Sequence, residues 1–127
     1  MKKILFLDDS EERHKIFKEK FNIPDTKVIH VRTVQEAIDE LDKGDVEVAF
    51  LDHDLGGETF VKRVEGTGYE VVLHIEKMPK EKRPYQVIIH SHNPAGVIRM
   101  RNALQRFVEK VQIAPFGSLF PEYRNQK

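Results

Sequence analysis

The sequence predicts an α/β domain of three layers, with one five-stranded parallel sheet between two helical layers. Three observations carry that expectation. Short apolar runs alternate four times with longer amphipathic stretches, and a last apolar run follows. The central runs are apolar on both faces, as strands covered from both sides must be. Capping signals open most of the stretches between them. Strand–helix alternation with right-handed crossovers builds a parallel sheet, and 2-1-3-4-5 is the common strand order for a sheet this small. The 127 residues make one domain, 1–127, large enough to enclose a core.

Each element has its own signal. Ile4 to Leu7 is the first strand. Asp9 or Ser10 caps the next helix, with Glu12 three after Asp9 as a capping-box partner. In that helix Arg13, Phe17 and Phe21 lie at i, i+4 and i+8, so Arg13 is a cation on the inward stripe. Asn22 and Pro24 end it. Val28 to Val31 is the second strand. Thr33 to Glu36 is a second capping box, and Val34, Ala37, Ile38 and Leu41 form the apolar helix face. Gly44 stops that helix, and Val46 to Leu51 is the third strand. Gly56 to Gly66 reads as a mobile loop. Thr67 caps a third helix, with Glu70 as partner and Val71, Val72 and Ile75 facing inward. Tyr85 to Ile89 is the fourth strand. Asn93 followed by Pro94 opens a helix whose apolar spacing runs to Phe107 and Val108. Val111 to Ala114 is the fifth strand. After Pro115 a fifth helix is expected to be absent or truncated, because Gly117 and Pro121 interrupt the short remainder.

Composition excludes several function classes. Lys plus Arg and Asp plus Glu number 21 each, so the net charge of zero gives no overall pull toward nucleic acid or anionic membrane. The chain has no cysteine, which removes disulfide and thiol chemistry. The apolar run after Met1-Lys2-Lys3 is too short for a signal peptide, and no run could span a bilayer. A cytoplasmic protein is expected.

Three strands end in polar clusters: Asp8-Asp9, Asp52-His53-Asp54 and His90-Ser91-His92-Asn93. In the expected order these strands are neighbours, and their C-terminal ends form the sheet edge where open α/β folds bind ligands. Asp8, Asp9 and Asp52 then meet in one acidic pocket, which repels itself unless a cation enters or protons are taken up. Mg2+ or Mn2+ is the natural counter-ion, because both favour oxygen ligands. His90 and His92, two apart, share a side of an extended backbone and can bracket a phosphate as acid and base. Asn93 reads first as a helix cap; the helix it opens aims its N–H groups at the rim, where an anion can bind. Ser91 either donates to phosphate or turns the chain. His53 stands between two acids, which favours its charged form, or else it faces solvent. Arg13 is either a fork for phosphate or a salt-bridge partner of the carboxylates. His14, His30 and His74 read as surface or core positions.

The paired acids after strand one and the Asp after strand three resemble a response-regulator receiver domain, which implies the flavodoxin/CheY-like fold. Receivers also carry a hydroxyl residue after strand four and a lysine before proline after strand five. Ala114 precedes Pro115 here, and without that lysine phospho-relay signalling is disfavoured. A fuller resemblance is to the receiver-like family of cyclic-phosphate processing domains. Phe6-Leu7-Asp8-Asp9 with Arg13-His14, Leu51 to Gly56, Thr67-Gly68, and His90 to Pro94 with Met100 are similar to its motifs in order.

That resemblance implies hydrolysis or transfer on cyclic phosphate esters, in cyclic nucleotides or at RNA 2′,3′-cyclic phosphate ends. Asp8, Asp9 and Asp52 are the expected metal ligands, and His90, His92 and Asp54 the expected catalytic groups. Arg13, His53, Ser91 and Asn93 are the expected phosphate contacts. The alternative is a non-enzymatic signalling or ligand-sensing module built on the same fold. A small phosphate ester is the expected partner and an RNA end a second one; protein partners are not legible in the sequence.

Overall fold

Every residue of the first strand is buried from Ile4 to Leu7, and consecutive side chains enter two different cores. The computed structural model describes residues 2–53, 67–91 and 93–119. In chain order the elements are β1 (Lys2–Leu7), α1 (Glu11–Lys20), β2 (Thr26–Val31), α2 (Val34–Leu41), β3 (Val46–Leu51), α3 (Gly68–Lys77), β4 (Gln86–Ile89), α4 (Pro94–Leu104), β5 (Lys110–Ile113) and α5 (Phe116–Leu119). The five strands are parallel and ordered β2-β1-β3-β4-β5. The expected topology is therefore the observed one.

Strand alternation divides the core. Leu5, Leu7, Ala49, Leu51, Val87 and Ile89 face one side, where Leu41 of α2, Val71 and Ile75 of α3 and Met100 and Leu104 of α4 cover them. Ile4, Phe6 and Phe50 face the other side, with Phe17 of α1 and Phe116 of α5. Phe6 stacks on Phe17 at 4.2 Å between ring centroids. Burying an aromatic ring of this size contributes about 1.5–3 kcal/mol. Two-sided burial is the reason these strands read as unbroken apolar runs.

The helix starts differ in detail from expectation. Ser10, not Asp9, caps α1: its hydroxyl accepts from the Arg13 N–H at 3.2 Å. The Asp9–Glu12 box gives way because Asp8, not Asp9, turns back on the chain, its carboxylate accepting the Ser10 N–H at 2.8 Å. The Thr33–Glu36 box forms in full. Thr67 begins α3 without a side-chain cap: the Glu70 N–H donates to the Thr67 carbonyl at 3.0 Å, and the Gly68 N–H to the His53 carbonyl at 2.9 Å. Asn93 caps α4 through the Gly96 N–H at 2.9 Å, with Pro94 at the first helical position. That helix ends at Leu104, and Val108 is buried from a turn rather than from a helical face. The fifth helix is present over Phe116–Leu119, and the residues after it, on which its expected truncation turns, lie outside the described residues. The loop expected from Gly56 to Gly66 lies outside the described residues.

Candidate functional site

The C-terminal ends of β1, β3 and β4 converge as the alternation requires. Backbone N–H groups of Asp52 and His90 donate to Leu7 and Leu51 carbonyls, so the sheet ladder continues one residue past β3 and β4. Asp8, Asp52 and His90 therefore sit side by side, exposed by 0%, 4% and 0%. One ligand atom from each lies within 4.8 Å of the others. The His90 Nε2 is 2.9 Å from Asp8 Oδ2. An ionised carboxylate only accepts, so this imidazole nitrogen is the donor. Arg13 comes across from α1, its Nη1 at 3.0 Å from Asp8 Oδ2 and 3.4 Å from Asp52 Oδ2.

The two buried carboxyls titrate in opposite directions. Burial raises the proton affinity of Asp8, but hydrogen bonds from His90 and Ser10 and the charge of Arg13 outweigh it and hold Asp8 below the ordinary range. Asp52 is pushed up to about 6, first by burial and then by the neighbouring Asp8; His90, Arg13 and a hydrogen bond from Ser91 offset only part. Its environment is short of positive charge. Arg13 is held protonated by Asp8 and Asp52 against the effect of its own burial.

Packing fixes the His90 ring. It stacks on Phe6 at 5.0 Å with 15° between planes. Its Nδ1 is buried and has no hydrogen-bond partner among the described residues. Such an atom is uncommon in a folded protein and marks a place where a ligand atom or water completes the bonding.

The other expected site residues divide. Ser91 is buried, accepts the Asn93 N–H at 3.2 Å and bonds Asp52, so it both turns the chain and serves the pocket. The Asn93 side-chain oxygen is occupied by the α4 cap, while its amide nitrogen lies 3.5 Å from His53 Nδ1. His53 is buried against α4: a Cβ on Gly96 would fall 2.5 Å from its ring. Asp9 is half-buried on the same turn as Asp8 and acts on Arg13 through its charge, but does not belong to the converging trio. Asp54 and His92 lie outside the described residues.

Sequence reasoning missed one pair. His14 and His30 are not isolated positions: their Nδ1 atoms are 2.7 Å apart, and His14 Nε2 reaches the Asp8 carbonyl at 2.7 Å. The signal was present in the register, since Phe6 pairs with His30 across β1 and β2 and His14 lies three residues from Phe17 on α1. His74 instead pairs with Asp42 at 2.6 Å.

Comparison with known proteins gives the family and the fold. Residues 3–106 match the model of the cyclic-phosphate processing receiver domain. No curated protein has a sequence that matches the chain. Among solved structures, the response regulator TrrA of Thermotoga maritima, in complex with Mg(2+)-BeF, is similar at 20% identity and a TM-score of 0.66, over 99% of this chain and 98% of that one. A CheY-like receiver domain from Methylobacillus flagellatus is similar at 16% identity and a TM-score of 0.65, over 100% and 99%. The Mn(2+)-bound response regulator Rcp1 is similar at 24% identity and a TM-score of 0.59, over 89% and 81%. At these identities the likeness establishes the receiver fold. No helix among the described residues is long and apolar enough to cross a membrane.

Proposed function

The chain belongs to the cyclic-phosphate processing receiver family, and from that premise we propose that it is a phosphoesterase acting on cyclic phosphate esters. The substrate class is a cyclic nucleotide or an RNA 2′,3′-cyclic phosphate end. The observation that carries this reading is the buried convergence of Asp8, Asp52 and His90 under the Arg13 guanidinium.

The donor set fits a divalent cation. Two carboxylates supply the hard oxygen that Mg2+ and Mn2+ favour. Asp8 and Asp52 are the residues that would hold it; Asp9, outside the converging trio, would add its charge from the adjoining turn. Bound there, the ion would supply Lewis-acid polarisation of a phosphoryl oxygen. Asp52, whose pKa burial and Asp8 raise, is the carboxyl that would lose its proton to solvent as such an ion bound.

The protein's own groups divide the remaining work. Arg13 has guanidinium nitrogens beyond Nη1 to hold a non-bridging oxygen. Asp8 orients His90 through Nε2. Hydrolysis adds water to phosphorus and breaks one P–O ester bond: a base takes the water proton, an acid protonates the leaving oxygen, and a phosphate monoester results. His90 and His92 are assigned these two proton transfers, with Asp54 orienting one imidazole. Ser91, Asn93 and His53 shape the phosphate side of the pocket.

The test is turnover of 2′,3′- and 3′,5′-cyclic nucleotides with Mg2+ or Mn2+, for wild type and Asp52→Asn. Metal-dependent turnover lost in the variant supports the reading; folded protein that turns over neither class with either metal refutes it. A second reading has an observation of its own: Ser91 bonds Asp52 as a phosphoacceptor's neighbour could. In that case the module signals without hydrolysis, and labelling by acetyl phosphate is lost in Asp52→Asn. Ala114, which stands before Pro115, is the residue that disfavours it.

A further inference from the structure

A second cavity, of about 390 Å³, opens beside α1 and is lined by Glu11, His14, Lys15, Lys18, His30 and Arg32. Three of these side chains are permanent cations and one is a carboxylate. That carboxylate is already engaged: Glu11 pairs with Arg32 through both oxygens, one of them 3.0 Å from Nη2. Neither Lys15 nor Lys18 has a carboxylate partner among the described residues. The cavity therefore carries an uncompensated positive field from two ammonium groups.

Two imidazoles lie under these cations. The Asp8 carbonyl can only accept, so His14 donates to it through Nε2–H and its Nδ1 is left as an acceptor. His30 then donates its Nδ1–H across the 2.7 Å contact, which leaves the His30 Nε2 as the other ring atom. Burial first, then His14, Lys18 and Arg32, push the His30 pKa down to about 4. Glu11 alone opposes them. His30 is thus neutral, and the positive charge of the cavity belongs to Lys15 and Lys18, a balance that a bound anion restores.

We propose that this cavity is a phosphate-binding site, with Lys15 and Lys18 as its counter-charges, Arg32 at its margin and His30 at its floor. A phosphate offers acceptor oxygens in several directions and so can meet the Lys15 and Lys18 ammonium groups of α1 and the Arg32 guanidinium just past β2 together, which a planar carboxylate does less well. The volume also leaves room for a group attached to the phosphate, so the source is either free phosphate or a nucleotide's terminal phosphate. The site is separate from the acidic pocket and does not depend on the reaction proposed there.

The experiment follows the ring signals of His30 and His90 by NMR at neutral pH without divalent metal. Inorganic phosphate is titrated in one arm and adenosine 5′-monophosphate in the other, at ionic strength held constant with chloride. Saturable shifts of the His30 signals are expected. Affinity should fall about tenfold in Lys15→Ser/Lys18→Ser, whose exposed positions leave the fold intact. Tighter binding of the nucleotide assigns the site to a nucleotide's phosphate; equal or weaker binding assigns it to free phosphate. The proposal is overturned if His30 does not respond, if chloride alone produces the change, if only His90 responds, or if the double variant binds as well as wild type.

Discussion

Asp52→Asn should stabilise this protein at neutral pH in the absence of divalent metal. The wild-type carboxyl is 4% exposed, and burial raises its pKa from 3.8 to about 6. At 1.36 kcal/mol for each factor of ten in proton affinity, the buried carboxylate costs the fold about 3 kcal/mol. The sign follows from the protons bound. Between pH 3.8 and about 6 the folded state binds more protons at Asp52 than the unfolded state does. Stability therefore falls as pH rises through that window and levels off above it. Asparagine keeps the shape and never ionises, so the gain is up to about 3 kcal/mol at pH 8 and near zero at pH 4. Loss of the Arg13 contact, at 3.4 Å, subtracts a part of it. Urea denaturation at the two pH values, with and without Mn2+, measures the difference. The ion should stabilise wild type by mass action and leave the variant nearly unchanged. A variant less stable than wild type by the same amount at both pH values would refute the burial argument.

Other expectations concern the supports of the site. Gly68→Ala places a Cβ 1.9 Å from the Asp52 carbonyl oxygen, so α3 and the Asp52 turn must separate; a stability loss above about 3 kcal/mol is expected in a thermal melt. Gly96→Ala brings its Cβ to 2.5 Å from the His53 ring, a side chain that can turn; the loss should be smaller, about 1–3 kcal/mol, with a changed His53 NMR signal. Thr33→Ala removes the capping box of α2 and should cost about 1 kcal/mol with no change in turnover, since the Thr33 side chain is exposed and its hydrogen bonds go to Glu36 rather than to the trio. Acidification below pH 3.8 should remove the stability that ionised Asp8 contributes, because its folded-state pKa lies below that value; a loss in acid, opposite in sign to the gain on acidification through the Asp52 window, is the measurable sign.

The parts of this fold that were legible are those governed by alternation and caps. Ile4 to Leu7 advertised two-sided burial because every residue in it meets a helix, on one face or the other. The Thr33–Glu36 and Asn93–Pro94 signals were correct because both partners are local. Asp9–Glu12 and Thr67–Glu70 carried the same local pattern and failed: in one case the neighbouring Ser10 takes the cap while Asp8 accepts its N–H, and in the other the His53 carbonyl takes the Gly68 N–H from across the chain. Convergence of Asp8, Asp52 and His90 was legible from strand order alone. The withdrawal of Asp9 from that trio was not, since two adjacent residues at a strand end point to opposite sides and only the turn decides which enters. His53 was read between rim and solvent, whereas Gly96 admits it to a buried place against α4. His14 and His30 escaped because they meet only through the register of β1 on β2.

The charge balance of the pocket bears on whether a cation belongs there. With Asp8 ionised and Arg13 protonated, those two cancel. Asp52 beside them is pushed up to about 6, by burial first and then by the Asp8 charge. Protonating Asp52 relieves both. On the proposed reading a divalent ion would relieve them with Asp52 ionised, so protonation and cation occupancy would be alternatives at this carboxyl. Proton release on adding Mn2+ at pH 5.5–6.5, up to one proton per protein and absent in Asp52→Asn, is what this exchange requires.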